Sequence, residues 1–334
     1  MYYKFYVTII LYATILVSCK PAVSEYITND GLTQGTTYHI VYQSKNNTNY
    51  RLEIEALLKK IDLSLSTYNT ASVISKINNN ESFETDSFFR EVFIKSVEIN
   101  KLSDGVFDIT VGSLVEAYGF GIYKKKAITR NLLDSLLQFV GMEKVKLQDT
   151  KIIKQSPGVR IDCNAIAQGY SVDIISEFLE KMECTNYLVE IGGEVRAKGL
   201  NSNNEIWRVG IDKPINNSIA ENREIQEIIK LKNKSLATSG NYRKFYEENG
   251  IKFTHSIDPK TGLSRTDSLL SVSILANDAA TADALATTCM VMGIQNATVL
   301  IKSLPDVAAY FIYADSKGNY QIITINDFTD FIEQ

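Results

Sequence analysis

Apolar and polar positions along the chain recur at two periods, and the switches between them mark a succession of strands and helices. Residues 36–43 (TTYHIVYQ) alternate at period two, as a half-buried strand does. Residues 50–62 (YRLEIEALLKKID) then place apolar side chains at helical spacing, followed by an STY loop and a short helix over SVISKIN. A long helix is predicted over 85–103 with Gly105 just beyond it as a stop, a further one over 131–139, and an amphipathic one over 166–181. Two strands, YLVEI and EVRAKG, flank Gly192-Gly193, and WRVGI reads as a third beside them. Residues 268–276 (SLLSVSILA) form a strand, after which Asp278 is placed to N-cap the helix AATADALATTCMVM, ended by Gly293. VAAYFIYA and YQIITI supply two closing strands. With no repeat, low-complexity linker or composition break, this pattern predicts one α+β domain of mixed and antiparallel sheets with flanking helices. The pattern leaves the strand order open.

Composition narrows the class. Of 334 residues, 45% are hydrophobic and 22% charged, which excludes disordered and collagen-like chains and predicts a packed core. A net charge of −4 leaves no broad cationic surface for a phosphate backbone, so nucleic acid is excluded as a partner. His39 and His255 are far apart and no CxxC pair exists, so any metal should be oxygen-ligated. Behind Lys4, residues 5–18 (FYVTIILYATILVS) form an uncharged run too short to span a membrane and suited to a signal peptide. Its end, Leu16-Val17-Ser18-Cys19, resembles the lipobox of bacterial lipoproteins, which are cut before the cysteine and lipidated on it; a signal peptide cut elsewhere would leave Cys19 incidental. The expected organisation is a signal over 1–18, a lipidated Cys19 and polar tether over 19–32, and a domain over 33–334, ordered from near Gly35. Cys163, Cys184 and Cys289 are an odd number and read as small buried apolar residues.

Several segments could carry chemistry. Asp283 and Thr287 are four apart on a helix, so a carboxylate and a hydroxyl project from one face, a hard-oxygen pair that suits Mg²⁺. Alone, such a pair is more often a solvated or locally hydrogen-bonded helix face. HSIDPKTG (255–262) is a tight turn in which His255 either serves a phosphate or reacting hydroxyl or stabilises the turn. ATSGNYRKF (237–245) could open its amides toward an anion. Gly192-Gly193 allows close approach to a ligand, but a hairpin turn is the favoured reading. SDGVFDITVGSLVEAYGFG (103–121) carries aromatics that either cover a planar ligand or fill core.

Together and in order, these segments resemble the ApbE family of FAD:protein FMN transferases. The resemblance runs through GTTY (35–38), LSTYNTASVISKIN (65–78), SDGVFDITVGSLVEAYGFG, IDCNAIAQGY (161–170), VEIGGEVRAKG, LATSGNYRKFY, HSIDPKTG and ADALATTCMVMG (282–293). It implies a single ApbE-like, T-fold-related domain that moves FMN from FAD to a Ser or Thr hydroxyl of a partner protein and releases AMP. By the same resemblance, Asp283 and Thr287 bind Mg²⁺, helped by the main-chain oxygens of Ala165 and Ala286. Gln34, Tyr68, Ala117, Tyr118, Gly119, Asp162, Gln168 and Ile257 form the FAD pocket, and His255 and Asp283 are the catalytic pair. Gln168 departs from the Lys or Glu that members commonly carry. The family also implies action outside the cytoplasmic membrane, on the periplasmic face, with membrane redox subunits as acceptors. An FAD pyrophosphatase yielding FMN and AMP, or a non-catalytic flavin-binding lipoprotein, would share the pocket.

Overall fold

The computed structural model describes residues 25–122, 124–215, 224–242, 245–248, 251–265 and 268–334. The signal segment and Cys19 lie outside the described residues. No helix among those described is long and apolar enough to cross a membrane.

The chain opens on a hairpin, β1 (Tyr26–Thr33) and β2 (Thr36–Gln43), followed by three helices, α1 (Arg51–Leu65), α2 (Val73–Asn78) and α3 (Ser87–Leu102). Two short helices, α4 (Gly112–Tyr118) and α5 (Arg130–Leu137), and a small hairpin, β3 (Val145–Gln148) and β4 (Lys151–Lys154), lead to α6 (Ala167–Lys181). Then come β5 (Tyr187–Ile191), β6 (Glu194–Lys198), β7 (Trp207–Asp212), β8 (Ile225–Leu231), β9 (Lys234–Gly240), β10 (Phe245–Glu248), β11 (Ile251–Thr254) and β12 (Leu269–Ala276). The chain closes on α7 (Ala279–Met292), α8 (Ile294–Lys302), β13 (Ala308–Ala314) and β14 (Tyr320–Ile325).

Eight strands form one sheet in the order β1-β2-β5-β6-β9-β12-β13-β14, with every neighbouring pair antiparallel. The central strands are buried on both faces, and side-chain alternation decides which residue meets which layer. Val272, Ile274, Ala309 and Phe311 face the helical layer, where they join Ala282, Leu285, Ala286 and Met290 of α7. Leu275, Ala308, Tyr310 and Ile312 face the other way, onto Trp207, Ile211, Ile229 and Leu231 of the β7–β8 hairpin. Toward the β2 end, Tyr38, Ile40, Tyr187 and Val189 pack on Ile54 and Leu58 of α1 and on Val172 and Ile175 of α6.

Two expectations are corrected. Residues 26–32 are not tether: they form β1, in register with β2 from Tyr26↔Gln43 to Thr33↔Thr36, with Asn29 buried. An edge strand has one ladder partner and a largely wet outer face, so it needs little apolar periodicity and reads as polar coil. WRVGI does not pair beside EVRAKG, because the free edge of β6 is taken by β9 through Val195↔Leu236, and β7 pairs with β8 over the face of the sheet. The expected features around α7 hold. Asp278 N-caps it, accepting from the Thr281 amide at 2.8 Å, and the three cysteines are free and buried.

The closest helix contact is between α6 and α7. A Cβ at Gly169 would lie 2.2 Å from the Ala279 carbonyl oxygen and 2.8 Å from Asp283 Cβ. Both obstacles are held by backbone, so no side-chain rotation relieves them. Gly169→Ala should therefore destabilise the protein by about 1–3 kcal/mol, the usual range for overpacking. Urea unfolding checks this, and an unchanged midpoint would show that α6 and α7 separate freely.

Candidate active site

α6 and α7 run antiparallel and meet at their N-terminal turns, where each offers a carboxylate to the other's amides. Asp283 of α7 is buried, and its Oδ2 accepts from the Gly169 amide of α6 at 3.0 Å. Asp173, four residues further along α6, is also buried, and accepts from the Ala279 amide at Oδ1 (2.9 Å) and from the Ala280 amide at Oδ2 (2.8 Å). Helix N-termini favour negative charge, so both carboxylates are well placed. Burial nonetheless pushes Asp173 up to about 6, against the pull of the two amides, and raises Asp283 as well, with the charge of Asp173 adding to the shift.

Asp283 Oδ1 accepts no hydrogen bond among the described residues, and no Lys or Arg pairs with this side chain. Thr287, one turn on, is half-buried and its Oγ1 lies 3.1 Å from Ser239 Oγ. The Gly169 amide serves Asp283, and the carbonyl four residues back, Ala165, accepts no hydrogen bond among the described residues. A carboxylate, a hydroxyl and an unclaimed carbonyl are the hard donors that Mg²⁺ takes, and a buried anion lacking a basic neighbour fits such a cation. Among the described residues no group of three or more His, Cys, Asp and Glu could hold a metal, which excludes only a side-chain cage. Ala286 is fully buried among core residues in the middle of α7, so only its main chain is available to a ligand.

A second cluster is built on α4. Tyr118 is buried, donates to the Gly262 carbonyl at 3.0 Å and accepts from the Ser264 amide at 3.2 Å, which ties α4 to the HSIDPKTG turn. In that turn the Asp258 carboxylate accepts from the Lys260 and Thr261 amides, and Ile257 is buried beside Tyr118. Gly119 ends α4 at φ 80°, and a Cβ there would meet Lys125 Cβ at 2.9 Å, while the Ala117 carbonyl accepts from the Lys126 amide. The half-buried His255 ring stands edge-on to Phe120, 6.3 Å between centroids, and the Tyr68 hydroxyl donates to the Phe120 carbonyl at 3.0 Å. Asp162 is held in a tight turn by the Asn164 amide and side chain, and burial pushes it up to about 6, with Glu116 adding.

The third group gathers at two hairpin turns. Gln34 sits in the β1–β2 turn at φ 50° and donates from Nε2 to Ser171 Oγ of α6 at 2.6 Å, while its Oε1 is buried with no hydrogen-bond partner among the described residues. Gly192 and Gly193 form the two-residue β5–β6 turn, both at positive φ, as the favoured reading expects. A Cβ at Gly192 would lie 2.6 Å from Gln168 Nε2, so this turn also packs against α6. The expectation that Thr238 and Ser239 open amides to an anion is corrected: both lie in β9 and pair with Ser273 and Val272 of β12. Their hydroxyls alternate between faces, Thr238 meeting Ser273 at 2.8 Å and Ser239 meeting Thr287.

A model of the ApbE family matches residues 34–311. The chain belongs to the ApbE family. A relative from Haemophilus influenzae described as an FAD:protein FMN transferase is 35% identical over 318 residues, covering 91% of this chain and 90% of that one. A Vibrio cholerae relative of the same description is 35% identical over 289 residues, covering 84% and 85%. Among solved structures, the flavin transferase ApbE from Vibrio cholerae superposes with a TM-score of 0.82 at 32% identity, covering 92% of this chain and 99% of that one. The ApbE protein of Thermotoga maritima gives 0.81 at 29% identity, covering 93% and 100%. For this ApbE-family chain the fold expectation holds: mixed helices and a large antiparallel sheet in one domain.

Three residues at this ApbE-family site escaped the sequence reading: Asn78, Asp173 and Tyr246. Asn78 is buried at the end of α2 and clamps Ile161 from both sides, donating to its carbonyl at 2.8 Å and accepting from its amide at 2.7 Å. That grip fixes the segment carrying Asp162 and Ala165. The buried Tyr246 hydroxyl has no hydrogen-bond partner among the described residues, and its ring stacks on Phe253 with centroids 5.1 Å apart. Nothing local marks Asn78, since asparagine near a helix end is ordinary. Asn78→Ala should cost about 1–3 kcal/mol by leaving both Ile161 groups unsatisfied. Thermal unfolding measures the loss, and a melt matching the parent would show that water replaces the clamp.

Proposed function

We propose that this chain transfers FMN from FAD to a Ser or Thr hydroxyl of a protein acceptor in an Mg²⁺-dependent reaction. The buried, unpaired Asp283 at the facing N-termini of α6 and α7 is the observation that carries this reading, together with membership of the ApbE family. Asp283, Thr287 and the Ala165 carbonyl would hold the Mg²⁺, which when bound supplies charge neutralisation at the FAD pyrophosphate. The α4 cluster, with Tyr68, Tyr118 and Ile257, together with Gln34 of the β1–β2 turn and Gln168 of α6, would hold the flavin and adenine ends. The acceptor hydroxyl oxygen bonds to the FMN-side phosphorus, the phosphoanhydride bond to AMP breaks, and the hydroxyl proton is lost. His255 acts at this centre, on that proton or on the transferring phosphate. The remaining contribution is alignment of hydroxyl, phosphorus and leaving oxygen.

The Leu16-Val17-Ser18-Cys19 run supports an exported protein anchored by lipid on Cys19, facing the acceptor domains of membrane redox subunits. A multi-chain anchor holds where a single acyl chain does not.

Asp283→Ala should abolish Mg²⁺-dependent formation of an FMN adduct on an acceptor, read by mass spectrometry, while circular dichroism stays that of the parent. Unchanged turnover would end the metal reading. Release of FMN and AMP without any acceptor adduct would make the chain a pyrophosphatase, and bound FAD with no turnover a flavin-binding protein. His255→Ala should lower kcat far more than it weakens FAD binding, since its role is at the reacting centre. Equal loss of both would place His255 in binding alone.

A further inference from the structure

Three carboxylates stand at the head of α7, and their partners differ. Asp278 faces Lys95, with Nζ 3.9 Å from Oδ1, and caps the Thr281 amide. Asp173 faces Arg196, with Nη1 2.9 Å from Oδ1, and holds the Ala279 and Ala280 amides. Asp283 has no basic partner among the described residues. Asp283 is thus the one carboxylate of the three with no basic side chain beside it among the described residues, and it is the residue proposed to bind the metal.

Capping alone does not account for Asp173. Asp278 already serves as the N-cap from within the chain's own sequence, the usual arrangement. Asp173 comes instead from α6, on the same helix as Gly169, whose amide holds Asp283. The two helices therefore exchange restraints one turn apart: Asp173 fixes the first turn of α7, and Gly169 fixes the carboxylate that the next turn presents. Loosening the first restraint would free the first turn of α7, and the carboxylate that the next turn presents to the Gly169 amide would shift with it. Arg196 has the complementary effect, since without it two bare carboxylates one turn apart would repel.

We propose that Asp173 is a positioning residue for Asp283, setting the geometry of the metal site through the first turn of α7 while touching neither metal nor substrate. This rests on the Mg²⁺ reading given above. Asp173→Asn keeps the shape but offers one acceptor oxygen where two amides and Arg196 now bond. Isothermal titration of the full-length chain with Mg²⁺ alone, without FAD, should show the Kd raised by about tenfold or more, the effect usual for groups that orient a metal ligand. Turnover should recover at high Mg²⁺, so that the metal requirement moves far more than kcat at saturation. A merely structural role would lower the melting temperature and leave the Mg²⁺ Kd alone. If D173N does not fold, the same titration is made on D173N/R196Q, which removes the cation that has lost its nearer carboxylate and keeps only Glu180. Asp283→Ala is the reference: D283A without Mg²⁺ binding beside a D173N or D173N/R196Q that binds as the parent does overturns the positioning role. A D283A that binds Mg²⁺ normally overturns the metal site itself, and the role of Asp173 with it.

Discussion

The architecture of the site depends on how closely α6 approaches α7. Only a residue without a side chain allows Gly169 to sit where its Cβ would be 2.2 Å from the Ala279 carbonyl oxygen. At that separation the two N-terminal turns share their unsatisfied amides, and buried carboxylates become tolerable because each accepts from main-chain donors of the facing helix. The sheet beneath supplies the rigidity. β9 and β12 are central strands covered on both faces, and α7 lies on them with Ala282, Leu285, Ala286 and Met290 inserted in the core. Asp283 and Thr287 are thus carried by a helix seated in the core, with Ser239 of β9 bonded to Thr287 from below.

The rest of the pocket is assembled around this fixed point by turns rather than by regular elements. Gln34 and Gly192 reach α6 from adjacent hairpins of one sheet, one by a hydrogen bond to Ser171 and the other by packing against Gln168. The segment with Asp162 and Ala165 is irregular backbone, held by Asn78. Tyr118 plays the same part for the HSIDPKTG turn. Tyr118 is therefore an anchor whose hydroxyl is occupied by the main chain. Two of these irregular segments are thus tied to a helix by one buried polar side chain each, Asn78 of α2 and Tyr118 of α4.

What was legible in the sequence follows from which forces are local. The β12–α7 unit is readable because an apolar strand, an Asp N-cap and a terminating glycine lie within some two dozen consecutive residues. β1 is not, since an edge strand needs no apolar stripe, and β9 reads like an anion loop because small hydroxyl residues serve strands and turns equally. The place of β7 depended on which strand won the edge of β6, a tertiary competition with no local trace. At the site, Asp283 and Thr287 were visible as a helix pair, yet an i,i+4 carboxylate and hydroxyl mean little alone, and the ordered blocks of family resemblance gave them their reading. Asp173 and Asn78 were invisible. Their roles lie in hydrogen bonds to residues more than eighty positions away.

Around the head of α7, Asp173, Asp278 and Asp283 face two basic side chains, Arg196 and Lys95, and the adjoining β5–β6 turn adds Glu190 and the buried Glu194 beside the neutral Gln168. Arg196 is shared by Asp173 and Glu180, and Lys95 by Asp278 and Glu98, so Asp283 is left without a basic partner among the described residues. The neutral amide of Gln168 adds no charge beside the β5–β6 turn, so the negative charge buried at the head of α7 comes from Asp173 and Asp283, carboxylates whose placement the α6–α7 contact sets.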